Sequence, residues 1–246
     1  MPKARYQDIY QVLKNRIEDR TYPFGELLPS ENELTTEFAC SRNTVRRALS
    51  GLIELGYVQA MQGKGVRCIY HTSETVSFFS SEIETFREAA FRNKLSYRTD
   101  VVHFEECTVD AALAEKSGFP EGEAVYYLQR VHVIDDKPLI MNHNYFLKSV
   151  AEGLTEEIAG VSVYDYLENV LDVKIVSSKR VITVDKITAL DKKYLHLSAR
   201  DYNCLAVITS ITFDGNGTLF EYTQSRHLPQ YFSFSSNAVR KGHLLA

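Results

Sequence analysis

The sequence predicts an α+β protein in two parts: a short helical segment closed by a β-hairpin, then a larger antiparallel sheet domain. Three observations point there. The first seventy residues carry helically spaced apolar side chains and two helix-cap signals. Beyond them, strand-like runs outnumber helical ones, and hairpin turns join neighbouring runs. The 246 residues, 44% hydrophobic and 24% charged, suit one large domain or two modest ones and argue against global disorder. The expected boundaries are 1–70, a polar linker at 71–77, and 78–246.

The first helix is expected from Tyr6, Ile9, Tyr10, Leu13 and Ile17, which fall on one face. Thr21 to Gly25, with Pro23 between them, breaks the pattern as a turn. Ser30 and Glu33 then fit a capping box, in which hydroxyl and carboxylate satisfy each other's backbone amides. The short helix that follows buries Leu34 and Phe38. Ser41 is a second cap, eleven residues on. Its helix buries Val45, Ala48, Leu49, Leu52 and Ile53 and stops at Gly56. The opposite face shows Arg42, Asn43, Arg46, Arg47 and Ser50, with Arg42 and Arg46 one turn apart. Next come Tyr57-Val58-Gln59-Ala60, a turn through Gly63-Lys64-Gly65, and Val66 to Tyr70, which read as a hairpin with a small cationic tip.

Two short helices with a tight turn between them, then a glycine-tipped hairpin, make a winged helix-turn-helix. The second helix inserts its N-terminal residues into the major groove. Arg42 suits guanine there, because its planar fork matches the O6 and N7 acceptors. The charge distribution agrees. The chain has a net charge of -4, yet residues 40–71 hold Arg42, Arg46, Arg47, Lys64 and Arg67 against Glu54 alone. A local cationic cluster in an otherwise acidic chain suits a polyanion, here double-stranded DNA.

The second part is expected to hold strands at 98–106, 124–134, 138–146, 174–184, 204–213 and 219–228, and helices at 83–92, 109–117, 162–171 and 188–196. Asp135-Asp136-Lys137-Pro138 and Asp214-Gly215-Asn216-Gly217 are hairpin turns, so the pairing is antiparallel. No nucleophile elbow, zinc-protease helix, phosphate-binding loop or dinucleotide fingerprint is present. No cofactor or metal is expected: the seven histidines lack ligand spacing to one another, and Cys40, Cys68, Cys107 and Cys204 form no close pair. We read the cysteines as reduced and mostly buried. No signal peptide or membrane-spanning run is evident, so a cytoplasmic protein is expected.

Arg130 and Arg226 stand among apolar neighbours on strands and each needs an anionic partner. Arg226 either pairs with Glu221 or grips a ligand anion such as phosphate. The helix starts at Thr85-Phe86-Arg87 and at Ser162 either cap their own helices or also lend amides to a phosphate.

The stretches LPSENELT, SRNTVRRAL, the downstream GY and QGKG, over residues 4–70, resemble the winged helix of GntR-type bacterial repressors. The resemblance implies operator contacts from Ser30, Asn32, Ser41, Arg42, Asn43, Thr44, Arg46 and Arg47, and from Gly63, Lys64 and Gly65 of the wing. Asn32 stands where many relatives have arginine. Residues 78–237, through TFRE, RVHVIDDKP, SVYDYLE and LFEYTQSRH followed by F-x-F, resemble the effector domain of the HutC branch, whose fold is similar to chorismate lyase. The trehalose-responsive members of that branch are the nearest in pattern. The likeness implies a homodimeric repressor released from a palindromic operator by a sugar phosphate, trehalose 6-phosphate first among them. Arg130, Ser162 and the amides of Thr85, Phe86 and Arg87 would hold the phosphate. Glu221, Arg226 and Tyr164 would face the sugar. His132 stands where a second arginine is common, and Asn142 where a carboxylate is. Alternatives are a regulator of the same family sensing another phosphorylated sugar or a small acid, a lyase-like enzyme carrying a DNA-binding domain, or an architectural DNA-binding protein.

Overall fold

The computed structural model describes residues 5–70, 83–93, 95–198 and 202–234. They fall into two compact units that divide between residues 74 and 75. The expected linker at 71–77, and the stretches 78–82 and 235–246 of the expected second domain, lie outside the described residues.

In the first unit, α1 (Arg5–Glu18) presents Ile9, Leu13 and Ile17, one turn apart and nearly inaccessible, to the core. α2 (Glu31–Glu37) starts on Ser30, whose Oγ accepts from the Glu33 amide while its own amide donates to Glu33 Oε2 at 2.7 Å. The turn to α3 (Arg42–Glu54) passes Ala39 in the left-handed region. Ser41 caps α3, and Val45, Ala48, Leu49 and Leu52 bury its inner face. Ile53, expected in the core, is half-buried at its edge. β1 (Val58–Met61) and β2 (Gly65–Cys68) pair antiparallel, Val58 opposite Cys68. Gly63 and Gly65 close this hairpin with φ of 70° and 102°, which a side chain would strain. The Tyr57 ring stacks on Tyr70 at the hairpin base, and its hydroxyl donates to Glu18 Oε1 at 2.7 Å, tying the wing to the end of α1.

The second unit is built on α4 (Phe86–Arg92), β3 (Tyr97–Thr108), α5 (Ala111–Ser117), β4 (Ala124–Ile134), β5 (Lys137–Leu147), α6 (Glu156–Val161), α7 (Val163–Asn169), β6 (Ile175–Lys186), α8 (Ala189–Tyr194), β7 (Cys204–Asp214) and β8 (Leu219–His227). The six strands form one antiparallel sheet in the order β3-β4-β5-β8-β7-β6. The order reveals a plan: β3-α5-β4-β5 and β6-α8-β7-β8 run alike, and their last strands meet at the centre, Asn144 opposite Thr223. All six expected strands form. The β4–β5 turn is tighter than expected: Asp135 and Asp136 alone make it, both with positive φ, as a two-residue hairpin on a right-twisted sheet requires. α6 was not anticipated. Its six residues, capped by Thr155, are too few to show a helical period. Ala159 of α6 and Val163 and Leu167 of α7 share a buried cluster with Leu128, Phe146 and Phe220 of the sheet. This contact seats α6 and α7 over one sheet face. Among the cysteines only Cys68 is fully buried; the other three are half-buried, and all four are free thiols. No described helix is long and apolar enough to cross a membrane.

Candidate functional site

The first unit displays its cations at the start of α3. Arg42 and Asn43 are exposed in the first turn, and Thr44 Oγ1 lies 2.8 Å from the Ser41 hydroxyl. Arg46 also reaches the surface, but Glu31 of α2 holds it: Nε lies 2.9 Å from each carboxylate oxygen. The Arg46 hydrogen bond lowers the Glu31 carboxyl below its usual range, and the charge of Arg42 adds to this. Arg47 points elsewhere, its guanidinium 3.9 Å above the Tyr6 ring of α1. It lies 100° further round the helix than Arg46, so its expected place on the DNA-facing side does not follow. Ser30 and Ser41 spend their hydroxyls as caps. Asn32 is exposed, and its carbonyl accepts from Thr35 and Thr36. Gly63, Lys64 and Gly65 are exposed at the wing tip.

The second unit contains a half-open cavity between the sheet, the start of α4 and the α6–α7 junction. Its wall carries a row of polar side chains. Arg130 Nε donates to Asn144 Oδ1 at 2.9 Å, Asn144 Nδ2 to Thr223 Oγ1 at 2.7 Å, and Thr223 Oγ1 to Glu221 Oε1 at 2.8 Å. Tyr164 of α7 closes the row on Glu221 Oε2 at 2.5 Å. Burial pushes the Tyr164 phenol well up, with the Glu221 charge and hydrogen bond adding to it, so Tyr164 is the donor of that pair. Arg180 of β6 also lines this end. Burial lowers both arginines, and Glu221 opposes the shift. Among the described residues no carboxylate lies within 4 Å of the Arg130 guanidinium; its second contact is the Ala159 carbonyl at 3.4 Å.

The other end of the cavity is neutral. His132 is buried, stacked on Phe86 with ring centroids 4.1 Å apart. Its Nε2 faces Asn142 Nδ2 at 2.9 Å and its Nδ1 faces Thr99 Oγ1 at 3.0 Å. An amide nitrogen only donates, so Nε2 accepts and Nδ1 carries the proton. Burial, and then the charge of Arg130, hold His132 well below the usual histidine range. His227 is also buried, and burial pushes it down to about 4. Among the described residues two atoms here have no hydrogen-bond partner: Asn142 Oδ1 and His227 Nε2. Among the described residues no group of three or more histidine, cysteine or acidic side chains gathers to hold a metal.

Two family descriptions match this chain. The description of bacterial regulatory proteins of the gntR family covers residues 5–68, and that of the UTRA domain covers 92–233. The chain belongs to the GntR family, with a UTRA effector domain. It is 30% identical to the HTH-type transcriptional regulator TreR of Bacillus subtilis over 240 residues, 98% of this chain and 99% of that one. The crystal structure of YydK, a possible transcriptional regulator of Bacillus subtilis, superposes with a TM-score of 0.78 at 24% identity, covering 96% of this chain and 99% of that one. The effector-binding domain of the Bacillus subtilis trehalose repressor superposes with a TM-score of 0.52 at 26% identity, covering 58% of this chain and 99% of that domain. The chain is therefore a transcriptional regulator and not an enzyme. It binds DNA through the helix-turn-helix unit and a small-molecule effector through the UTRA domain.

Against this family background, the cavity gathers Thr85, Phe86, Arg87, Arg130, His132, Ser162, Tyr164 and Glu221, all expected at the effector site. Several are already engaged. The Thr85 amide and hydroxyl both donate to Glu88 Oε2 in a capping box, so that amide is spent. Ser162 Oγ accepts from the Asp165 amide as the α7 cap. Arg87 pairs with Asp165 at the cavity mouth. Arg226 does not line the cavity. It lies five positions after Glu221, an odd offset, and β8 runs unbulged between them, so they face opposite ways. Its Nε sits 2.9 and 3.1 Å from the two oxygens of fully buried Asp191, and Asp185 Oδ2 lies 3.7 Å from Nη1. Its internal partner is thus Asp191, not Glu221. Residues missed from the sequence include Asn144, Arg180, Ser210, Thr223, Ser225 and His227. The period of two along β8 would have found three of them, since Thr223, Ser225 and His227 share the parity of Glu221.

Proposed function

We propose that the chain is a repressor that grips a palindromic operator as a homodimer and is released by a sugar phosphate, with trehalose 6-phosphate the first candidate. The observation that carries the effector class is Arg130. A desolvated guanidinium without a carboxylate is costly, and an incoming anion removes that cost by a charge-assisted pair. Beside it, Glu221, Thr223 and Asn144 offer the hydrogen-bonding row that a sugar needs. The trehalose repressor among the relatives supports the choice of first candidate.

The dimer follows from specificity. One recognition helix contacts too few base pairs for genomic selection, whereas two of them read a palindrome. The sheet face opposite the cavity offers a surface for a second copy: Tyr127 and Tyr145 stack there at 4.5 Å and remain half-buried. The effector shifts the population of dimer states, so the helices no longer match the half-site spacing. A differential affinity of ~2–3 kcal/mol changes occupancy ~30–150-fold.

Calorimetry of the full chain with trehalose 6-phosphate, glucose 6-phosphate and inorganic phosphate, beside DNA release followed by fluorescence anisotropy on promoter fragments, tests the reading. Binding that leaves DNA affinity unchanged overturns induction. Binding by none of the phosphorylated sugars overturns the effector class. A one-chain mass by light scattering, free and on DNA, overturns the dimer.

A further inference from the structure

The cavity has two chemically different ends, and the uncharged one carries information about the effector beyond its anion. Arg130, Arg180, Glu221 and Tyr164 mark the ionic end. The other end, along β4, β5 and β8, holds His132, Asn142 and His227, all less than a tenth exposed. Asn142 and His227 are diagonal neighbours on adjacent strands, for Ile140 pairs with His227 and Asn142 with Ser225. Their unpartnered Oδ1 and Nε2 atoms belong to side chains that line the cavity.

We propose that Asn142 and His227 form a hydroxyl-recognition subsite that selects the uncharged, hydroxyl-bearing part of the effector and excludes its anionic group. This rests on the reading of the cavity as an effector site and adds to it which end takes which group. Asn142 Nδ2 is committed to His132, so Oδ1 can only accept, and a partner must bring a hydrogen. A phosphate monoester near neutral pH is mostly a dianion with acceptor oxygens only. Asn142 Oδ1 gives it no donor, and the nearest cation, Arg130 directly across from Asn142 on β4, turns its Nε toward Asn144 and the ionic end. A hydroxyl donates to Asn142 Oδ1 and, through its own lone pairs or a neighbouring hydroxyl, meets His227 Nε2 whichever nitrogen of that ring holds the proton. A bound hydroxyl thereby satisfies two buried polar atoms that otherwise bear the cost of lost hydration. Phe86 supplies an apolar flank beside His132 against which a sugar ring's C–H face can pack.

The test uses full-length protein labelled with 15N-histidine. Imidazole nitrogen shifts are followed while trehalose, inorganic phosphate and trehalose 6-phosphate are added separately, and calorimetry is repeated on Asn142→Leu. The proposal expects trehalose and trehalose 6-phosphate to move the His227 Nε2 signal and inorganic phosphate to leave it in place. Asn142→Leu should weaken trehalose 6-phosphate about tenfold or more, the loss of one buried hydrogen bond, without weakening inorganic phosphate. Should the variant fail to fold, the wild-type shifts decide alone. A His227 response to phosphate and not to trehalose, or tight sugar-phosphate binding with a silent His227, overturns the subsite while leaving the effector class intact. A His227 response to trehalose with no binding of phosphorylated sugars supports the subsite and overturns the effector class instead. Silence toward every probe overturns both.

Discussion

The two faces of the central sheet each carry an arginine, Arg226 buried and Arg130 half-buried, and the two have different surroundings. On the face away from the cavity, Arg226 meets Asp191 through Nε, Asp185 through Nη1 and the Lys186 carbonyl through Nη2. Asp191 in turn caps α8 by accepting from the Thr188 amide at 2.7 Å. The charge is neutralised within the chain, and the cluster fastens α8 to β8. On the cavity face, Arg130 has an amide oxygen and a long carbonyl contact for company. One arginine is neutralised by carboxylates; the other, among the described residues, has neutral partners. The same contrast recurs on α3, where Arg46 is forked onto Glu31 and Arg42 makes no ion pair within 4 Å among the described residues. The lesson is that a buried or clustered cation indicates a ligand only when its own chain withholds the counter-charge.

That contrast can be broken most forcefully at Asp191. Asp191→Ala strands Arg226 in the interior and removes the α8 cap, so chemical denaturation should show a loss of about 3–5 kcal/mol. A loss below 1 kcal/mol would make the two arginines equivalent.

Acid titration tests the neutral end of the cavity. The unfolded value of a histidine is ~6.5, and His227 in the folded chain is held at about 4. Between these values the unfolded chain binds a proton that the folded chain refuses. Stability is therefore full above pH ~6.5 and falls as pH drops toward 4, by about 3 kcal/mol in all from this residue. His227→Gln should flatten that part of the stability profile; an unchanged slope would mean that the ring is accessible to protons when folded.

Arg130→Met sharpens the contrast from the other side. Thermal melting should stay within a few degrees of wild type, because an unpaired charge is being replaced by an apolar side chain of similar length. Effector affinity should drop by about 1.5–3 kcal/mol, the worth of a hydrogen bond to a charged group. A large stability loss with affinity retained would move Arg130 to the structural side.

On DNA, Arg42→Ala should cost about 1–3 kcal/mol and blur one base position in a binding-site selection. The smallest effect is expected at the wing, where Lys64→Ala should reduce the slope of log affinity against log salt by about 1 without changing base preference. An altered base preference there would promote the wing tip from phosphate contact to base reader.

Much of this was legible because it is local. Ser30 with Glu33, and Ser41 before the cationic helix, are capping signals whose partners lie three residues away, so the recognition unit is legible in the sequence. The six strands showed through their hydrophobic runs and their turns. α6 did not show, because six residues hold less than two helical turns. From the sequence, Arg226 has two open partners, Glu221 or a ligand anion; strand alternation forbids the first, and the actual partner is Asp191, 35 residues distant on another element. The helical pattern puts Arg47 on the outer face of α3 with Arg42 and Arg46, and only the packing of α1 across α3 places it over Tyr6.

The sequence by itself determined the order of elements, the caps, the cationic recognition helix and the parity along each strand, because these depend on neighbours a few residues apart. Tertiary structure alone decided which parity faces the cavity. That choice is made when Ala159, Val163 and Leu167 seat α6 and α7 on one side of the sheet. Seating them there encloses Arg130 without a carboxylate, and leaves Arg226 on the side where Asp191 waits. Counter-charges brought together from distant parts of the chain are fixed by packing, and no local period encodes them.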